Sequence, residues 1–179
     1  FAIRSCKEFE GDYLNLHEKL MAKPVISVGL LPPERPDGTS KINDVSWRKI
    51  FEWLDKQYHK SVVYVGFGSE CKLSKEQVYE IAYGLELSQV PFLWALRKPT
   101  WAIHDSDILP LGFSNRTSSL GMVCFGWAPQ MEILAHPSIE GSLFHSGWGS
   151  VIEMLQFGHS LVVLPLVYDQ SLNASLLVD

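Results

Sequence analysis

Five apolar stretches recur between residues 61 and 166: "SVVYVGFGS", "PFLWALR", "GMVCFG", "GSLFHSG" and "SLVVLPL". A strand that is apolar at nearly every position, rather than at alternate ones, has both of its faces covered. Segments with helical spacing of apolar residues surround these strands, at about 46–57, 74–88, 129–135, 149–157 and 169–178. Strands alternating with helices pair in parallel through crossovers, so the pattern predicts an α/β domain from about residue 46 onward, a Rossmann-like, doubly wound parallel sheet. With 46 % of its 179 residues hydrophobic, the chain has the side chains for such a core.

The residues ahead of that region read differently. "KEFEGDYLNLHEKLMA" (7–22) has helical spacing and "PVISVGLL" is strand-like, whereas "PPERPDGTSKINDVS" has three prolines and few apolar residues, the composition of a linker or long surface loop. A domain boundary is expected there. The chain opens on strand-like residues without a Met and stops inside an apolar helical pattern, which reads as a piece of a longer polypeptide. No internal repeat is present.

Charge and cysteine usage exclude several classes of function. The 15 basic and 20 acidic residues are mixed along the chain, for a net charge of −5, so the basic footprint of a nucleic-acid binder is missing. The three cysteines, Cys6, Cys71 and Cys124, form no C-x-x-C pair, which fits reduced thiols and a cytoplasmic protein better than a disulfide framework or a zinc site. His136, His145 and His159 lack helical zinc-ligand spacing, and no metal is expected. The N-x-S/T triplets at Asn115 and Asn173 read as chance in that setting, and no apolar run reaches the roughly 18 residues of a membrane span. His17, His59, His104, His136 and His159 match no motif position with a chemical role and read as surface or satisfied core residues, His136 belonging structurally to the "ILAH" segment.

In a doubly wound sheet, ligands bind beyond the carboxyl ends of the strands, so the strand-to-helix turns carry the candidates. "VGFGSE" (65–70) offers close backbone approach and the Ser69 hydroxyl to an anion, but it lacks the third glycine of a dinucleotide fingerprint and equally suits an ordinary tight turn. "FHSGWGSVIEM" (144–154) places His145 and a glycine-rich turn ahead of a helix whose free N–H groups suit a phosphate. Glu153 either closes a capping box with Ser150 or faces a ribose diol. Asp169 and Gln170 in "PLVYDQ" suit sugar hydroxyls, or Asp169 is a helix N-cap. In "GWAPQ", Trp127 and Gln130 are either core and helix start or a stacking platform with an edge-reading amide. Four such turns at successive strand ends of one sheet offer partners for the base, ribose, phosphates and sugar of one extended ligand.

Taken in order, "WAPQ", "ILAH", "FHSGWGS", "E", "FG", "P" and "DQ", spread over residues 127–170, resemble the secondary-product glycosyltransferase box of plant UDP-dependent glycosyltransferases, and "VYVGFGS" is similar to that family's Gly-Ser turn. The resemblance implies the GT-B fold, two facing Rossmann-like domains, of which this chain is the C-terminal, donor-binding one. Residues 1–29 would then be the tail end of the acceptor domain, 30–45 the interdomain linker and 46–179 the UDP-sugar-binding domain, truncated at its C-terminal end. It further implies that Trp127 stacks on uracil, that the Ala128 backbone and Gln130 contact base or ribose, and that Glu153 holds the ribose hydroxyls. His145, Gly149, Ser150 and Ser69, in a turn that includes Gly147, would surround the diphosphate, while Trp148, Asp169 and Gln170 line the sugar. The implied reaction is inverting, needs no metal or cofactor, and transfers a hexose, with a mild preference for glucose, from a UDP-sugar to a hydroxyl of a small-molecule acceptor. No catalytic residue is expected in this chain, because the family's His-Asp base pair belongs to the acceptor domain.

The chain departs from the family pattern at Ser146, where Cys is usual, at Gly149, where Asn is usual, and at Ser160, where Pro is common. Branches of the family that act on an already glycosylated acceptor look similar. Three rival readings exist. A serine hydrolase lacks its G-x-S-x-G elbow. A glycosidase using Glu153 and Asp169 would work without nucleotide. A nucleotide-sugar-binding fragment would bind without turnover.

Overall fold

The computed structural model describes residues 1–36 and 45–178. Two units of sheet form. β1 (Ala2–Ile3) pairs in parallel with β2 (Ile26–Ser27), with α1 (Lys7–Met21) crossing between them. The second unit follows the order α2 (Val45–Leu54), β3 (Val62–Gly66), α3 (Lys75–Ser88), β4 (Phe92–Leu96), α4 (Phe113–Arg116), β5 (Gly121–Phe125), α5 (Gln130–Leu134), β6 (Ile139–Phe144), α6 (Trp148–Gln156), β7 (Ser160–Val163) and α7 (Gln170–Leu176). Its five strands are all parallel, in the spatial order β5-β4-β3-β6-β7.

The expected doubly wound parallel sheet is therefore present, and alternation along its central strands fills both faces. Val65, Phe92, Trp94 and Leu96 point to one side, against Val78, Ile81, Ala82 and Leu85 of α3 and Phe113 of α4. Val62, Tyr64 and Leu93 point to the other, against Ile50 and Leu54 of α2, Ile133 and Leu134 of α5, and Val151 and Met154 of α6. Coverage thins toward both edges, where Val162 of β7 is 56 % exposed with Leu164 open beyond it, and where β5 has no fully buried residue.

Three elements differ from the sequence reading. "PVISVGLL" supplies only a two-residue strand, because β1 is its single partner and is equally short. The 24 residues between β4 and β5, for which no helix was expected, contain a 3₁₀ turn (Asp105–Asp107) and α4, both too short to leave a periodic signal. Helix α6 begins at Trp148, with Gly147 as its N-cap, one residue earlier than expected. Of the expected interdomain linker, residues 37–44 lie outside the described residues.

The N-terminal unit touches the sheet domain through α6 and the residue that follows it. The Trp148 indole donates to the Arg4 carbonyl (3.3 Å) and stands 5.4 Å from the Phe9 ring, while the Gln156 amide donates to the Pro33 carbonyl (2.9 Å) and Arg35 lies over the Phe157 ring.

Buried His159 ties three elements of the sheet domain together. A carbonyl only accepts, so Nε2 carries the proton and donates to the Leu134 carbonyl after α5 has turned (3.0 Å), which leaves Nδ1 to accept from the Ser142 hydroxyl on β6 (2.9 Å). Both bonds belong to the neutral ring, and burial holds its pKa below the ordinary value of 6.5. In the pH range below 6.5 the unfolded chain therefore takes up a proton that the folded chain refuses, and stability falls as pH is lowered through that range. The unfolding midpoint is expected to be level above pH 6.5 and to drop below it. His159→Asn should lower stability at pH 8, by about 1–3 kcal/mol for the unpaired Ser142 and Leu134 groups, and should flatten the drop between pH 6.5 and 5. A thermal-unfolding series in pH checks both; an unchanged slope in the variant would remove His159 as its source.

Candidate functional site

The chain leaves β3 toward β4 and β5 on one side and returns to β6 on the other, so the turns after β3 and β6 diverge at the centre of the sheet. Beyond the carboxyl ends of the strands lies an open cleft of about 780 Å³, and all twelve residues singled out in the sequence line it. Strands that start far apart in sequence thus deliver their turns to one place.

After β3, Gly68 adopts φ +67° and Ser69 is exposed toward the cleft. A Cβ on Gly68 would come within 2.7 Å of His145 Cε1, and one on Gly147 within 2.5 Å of His145 Nε2, so the glycines let two turns close over the imidazole. His145 is only 9 % exposed. Burial lowers its pKa, against smaller opposing effects of the Gly66 backbone, Glu70 and Asp169, and its Nδ1 has no hydrogen-bond partner. At neutral pH it is therefore an uncharged donor rather than a cation. Beside it, the first turn of α6 presents the N–H groups of Trp148, Gly149 and Ser150, which have no acceptor within the helix.

After β5, Gly126 turns the chain at φ +95° and Trp127 emerges 74 % exposed. It is not a core residue. The Arg97 guanidinium, from the end of β4, lies over its ring at 5.7 Å from the centroid. Pro129 is buried and caps α5 rather than entering it, so that Gln130 begins the helix.

Glu153 does not close a capping box. Because α6 starts at Trp148, Ser150 is its third residue and Glu153 falls in the second turn, where its Oε2 accepts from Gln130 Nε2 (2.6 Å). Gln130 Oε1 in turn accepts from the Tyr64 hydroxyl (2.9 Å). After β7, Asp169 stands at the N-cap of α7 but makes no capping bond; its exposed carboxylate accepts only from Asn173 Nδ2 (3.2 Å). Gln170, next to it, is 4 % exposed and turned inward: Oε1 accepts from the Leu166 and Val167 N–H groups (2.9 Å each), and Nε2 lies 3.4 Å from Cys71 Sγ. The carboxylate of the pair faces the cleft while the amide braces the loop before it.

Tyr64 and Arg97 are among the cleft residues that the sequence reading did not single out. Tyr64 has the appearance of a strand-core residue, and the signal for it was the phenol itself, since a hydroxyl in a buried strand needs a partner. Arg97 is the only lysine or arginine among the described residues of the cleft, which also holds the carboxylates Glu70, Glu132, Glu153 and Asp169. An anion here depends on neutral N–H and O–H donors, on the N-terminus of α6 and on that one cation. Among the described residues, no three His, Cys, Asp or Glu side chains converge in the manner of a metal site, and no helix is long and apolar enough to cross a membrane.

Comparison with known proteins gives the family. The family model "UDP-glucoronosyl and UDP-glucosyl transferase" covers residues 38–179. The chain is 51 % identical to UDP-glycosyltransferase 91D1 of Stevia rebaudiana across 96 % of its own length and 35 % of that protein's, and 46 % identical to soyasaponin III rhamnosyltransferase of Glycine max across 100 % and 38 %. It thus spans less than two fifths of the length of these curated relatives. Its fold superposes on a transferase of Siraitia grosvenorii in complex with UDP with a TM-score of 0.79 at 34 % identity, over 97 % of this chain and 42 % of that one. The chain belongs to the UDP-dependent glycosyltransferase family and corresponds to the C-terminal part of its members.

Proposed function

We propose that this chain forms the donor site of a UDP-sugar-dependent glycosyltransferase that transfers a hexose, with glucose favoured, to a hydroxyl of a small-molecule acceptor, inverting and without a metal. One observation carries the reading: a single cleft is lined by an exposed indole, by the first turn of α6 with N–H groups that have no acceptor within the helix, and by the Glu153 carboxylate. In this reading uracil stacks on Trp127, with the Ala128 backbone and Gln130 at its edge, and Glu153 accepts from the ribose hydroxyls. The diphosphate lies against the first turn of α6, Ser69, Ser150 and the neutral His145. The sugar extends toward Asp169, Gln170 and Trp148.

As the acceptor oxygen attacks the anomeric carbon and the bond to UDP breaks, negative charge accumulates on the leaving diphosphate. The helix N-terminus and the fixed donors around it are already oriented toward that charge and need no reorganisation. The base that removes the acceptor proton is assigned to residues outside this chain, so the 179-residue polypeptide alone is expected to bind without turnover. Departures at Ser146, Gly149 and Ser160 support an acceptor that already carries a sugar.

Titration calorimetry with UDP tests the reading. UDP should bind, Trp127→Ala should weaken it by about 1–3 kcal/mol, the scale of a base–aromatic stack, and Glu153→Gln should affect UDP but not inorganic pyrophosphate. The absence of heat with any uridine nucleotide from the folded protein would sink the proposal, and hydrolysis of a glycoside without nucleotide would replace it with the carboxylate-pair reading. A further expectation concerns Gly149, where a Cβ would meet nothing within 4 Å. Gly149→Asn should be accommodated and should add a donor to the phosphate, tightening UDP about threefold to tenfold. Unchanged affinity in the folded variant would move the diphosphate away from this turn.

A further inference from the structure

Tyr64 is 2 % exposed, in the middle of β3, and reaches the floor of the cleft. Its ring lies along the strand beneath Gly66, where a Cβ would come within 2.7 Å of the phenol oxygen, so the missing side chain at Gly66 makes the space the ring occupies. Packing alone would be served as well by Phe at this position, and a buried hydroxyl costs free energy unless it is paired. The pairing found here is with Gln130 Oε1, across 66 residues of sequence.

That bond orients the amide. With Oε1 taking the phenol proton, Nε2 points at Glu153; a flipped amide would turn its oxygen on the carboxylate and lose that bond, so phenol and carboxylate are both satisfied as observed only in this orientation. Glu153 has no other hydrogen-bond donor among the described residues and no ion-pair partner there, so Gln130 is what restrains it. Its Oε2 is held, and its Oε1 is left for a ligand. The phenol remains protonated throughout, since burial and the nearby Glu153 charge both raise its pKa.

We propose that Tyr64 is a positioning residue for nucleotide recognition, acting through Gln130 to fix the Glu153 carboxylate and so setting the preference of the site for a ribose over a deoxyribose. The inference rests on the UDP-sugar reading above and adds to it a residue that meets neither base, phosphate nor sugar. A chain of two bonds, phenol to amide to carboxylate, prepays the ordering of a flexible acid that would otherwise be lost when the diol binds.

The test is titration calorimetry of UDP and 2′-deoxy-UDP on the intact polypeptide, with thermal unfolding to confirm that each variant folds. The parent should prefer UDP. Tyr64→Phe should weaken UDP about fivefold and leave 2′-deoxy-UDP nearly unchanged, so that the ratio between them collapses, the scale of one lost hydrogen bond. In a Glu153→Gln background the same substitution should change the ratio no further. If Tyr64→Phe fails to fold, Gln130→Leu cuts the same chain at its middle link and should collapse the ratio likewise. Equal losses for both nucleotides, or an unaltered ratio, would overturn the assignment and leave Tyr64 a packing residue. A parent that binds no uridine nucleotide would instead overturn the donor-site reading and this inference with it.

Discussion

Parallel pairing of β3 with β6, in a register that sets Gly66 beside Phe144, is the constraint on which the cleft depends. Both strands end at the same height, so the turn after one and the turn after the other must share a small volume. Gly68 and Gly147 resolve that crowding by giving up their side chains to the His145 ring. The imidazole is thereby sealed, loses its charge to burial, and serves as a fixed dipole beside the N-terminus of α6. A register slip of one residue would turn every strand side chain to the opposite face, and with it the two cores that hold α3 on one side and α2, α5 and α6 on the other.

The strands were legible in the sequence because burial on both faces writes itself as an unbroken apolar run, and the glycine-rich turns were legible because the backbone needs them there. What stayed hidden was of two physical kinds. Elements of three or four residues, such as the turn at Asp105–Asp107 and α4, are too short to show a period. Side-chain choices decided by distant partners are invisible along the chain: Gln170 looks free beside Asp169, yet it is spent on the Leu166 and Val167 N–H groups, and the capping box read from Ser150 and Glu153 fails because Gly147 starts the helix early. Trp127 belongs between these kinds. Its position at a strand end was evident, but only the exposure of its ring separates a platform from a core residue.

A cleft with four carboxylates and one arginine is a poor general attractor for anions. Selectivity must come from where the charges sit. Hydrogen-bond donors cluster at the α6 N-terminus and the turn after β3, whereas Glu153 stands a helical turn further along α6 and Asp169 at the head of α7. Such an arrangement opposes an isolated polyanion and suits a ligand whose anionic part is flanked by hydroxyl-bearing parts, since each carboxylate then faces O–H groups instead of phosphate oxygens.

The two ends of the cleft differ in how much order is established before a ligand arrives. Around Glu153 the acid is tied through Gln130 to a phenol that is itself locked in the core, so this end is rigid and its geometry follows from the packing of β3. Around Trp127 the indole is exposed, with the exposed Arg97 side chain over its ring, so this end is adaptable. Stacking tolerates sliding of one plane over another, while a carboxylate accepting from a diol does not, and the fold places rigidity where the recognition is directional. In the proposed donor-site reading, discrimination between nucleotides is assigned to the sugar, through a residue in the middle of a strand, and binding strength to the base, through a residue on a loop.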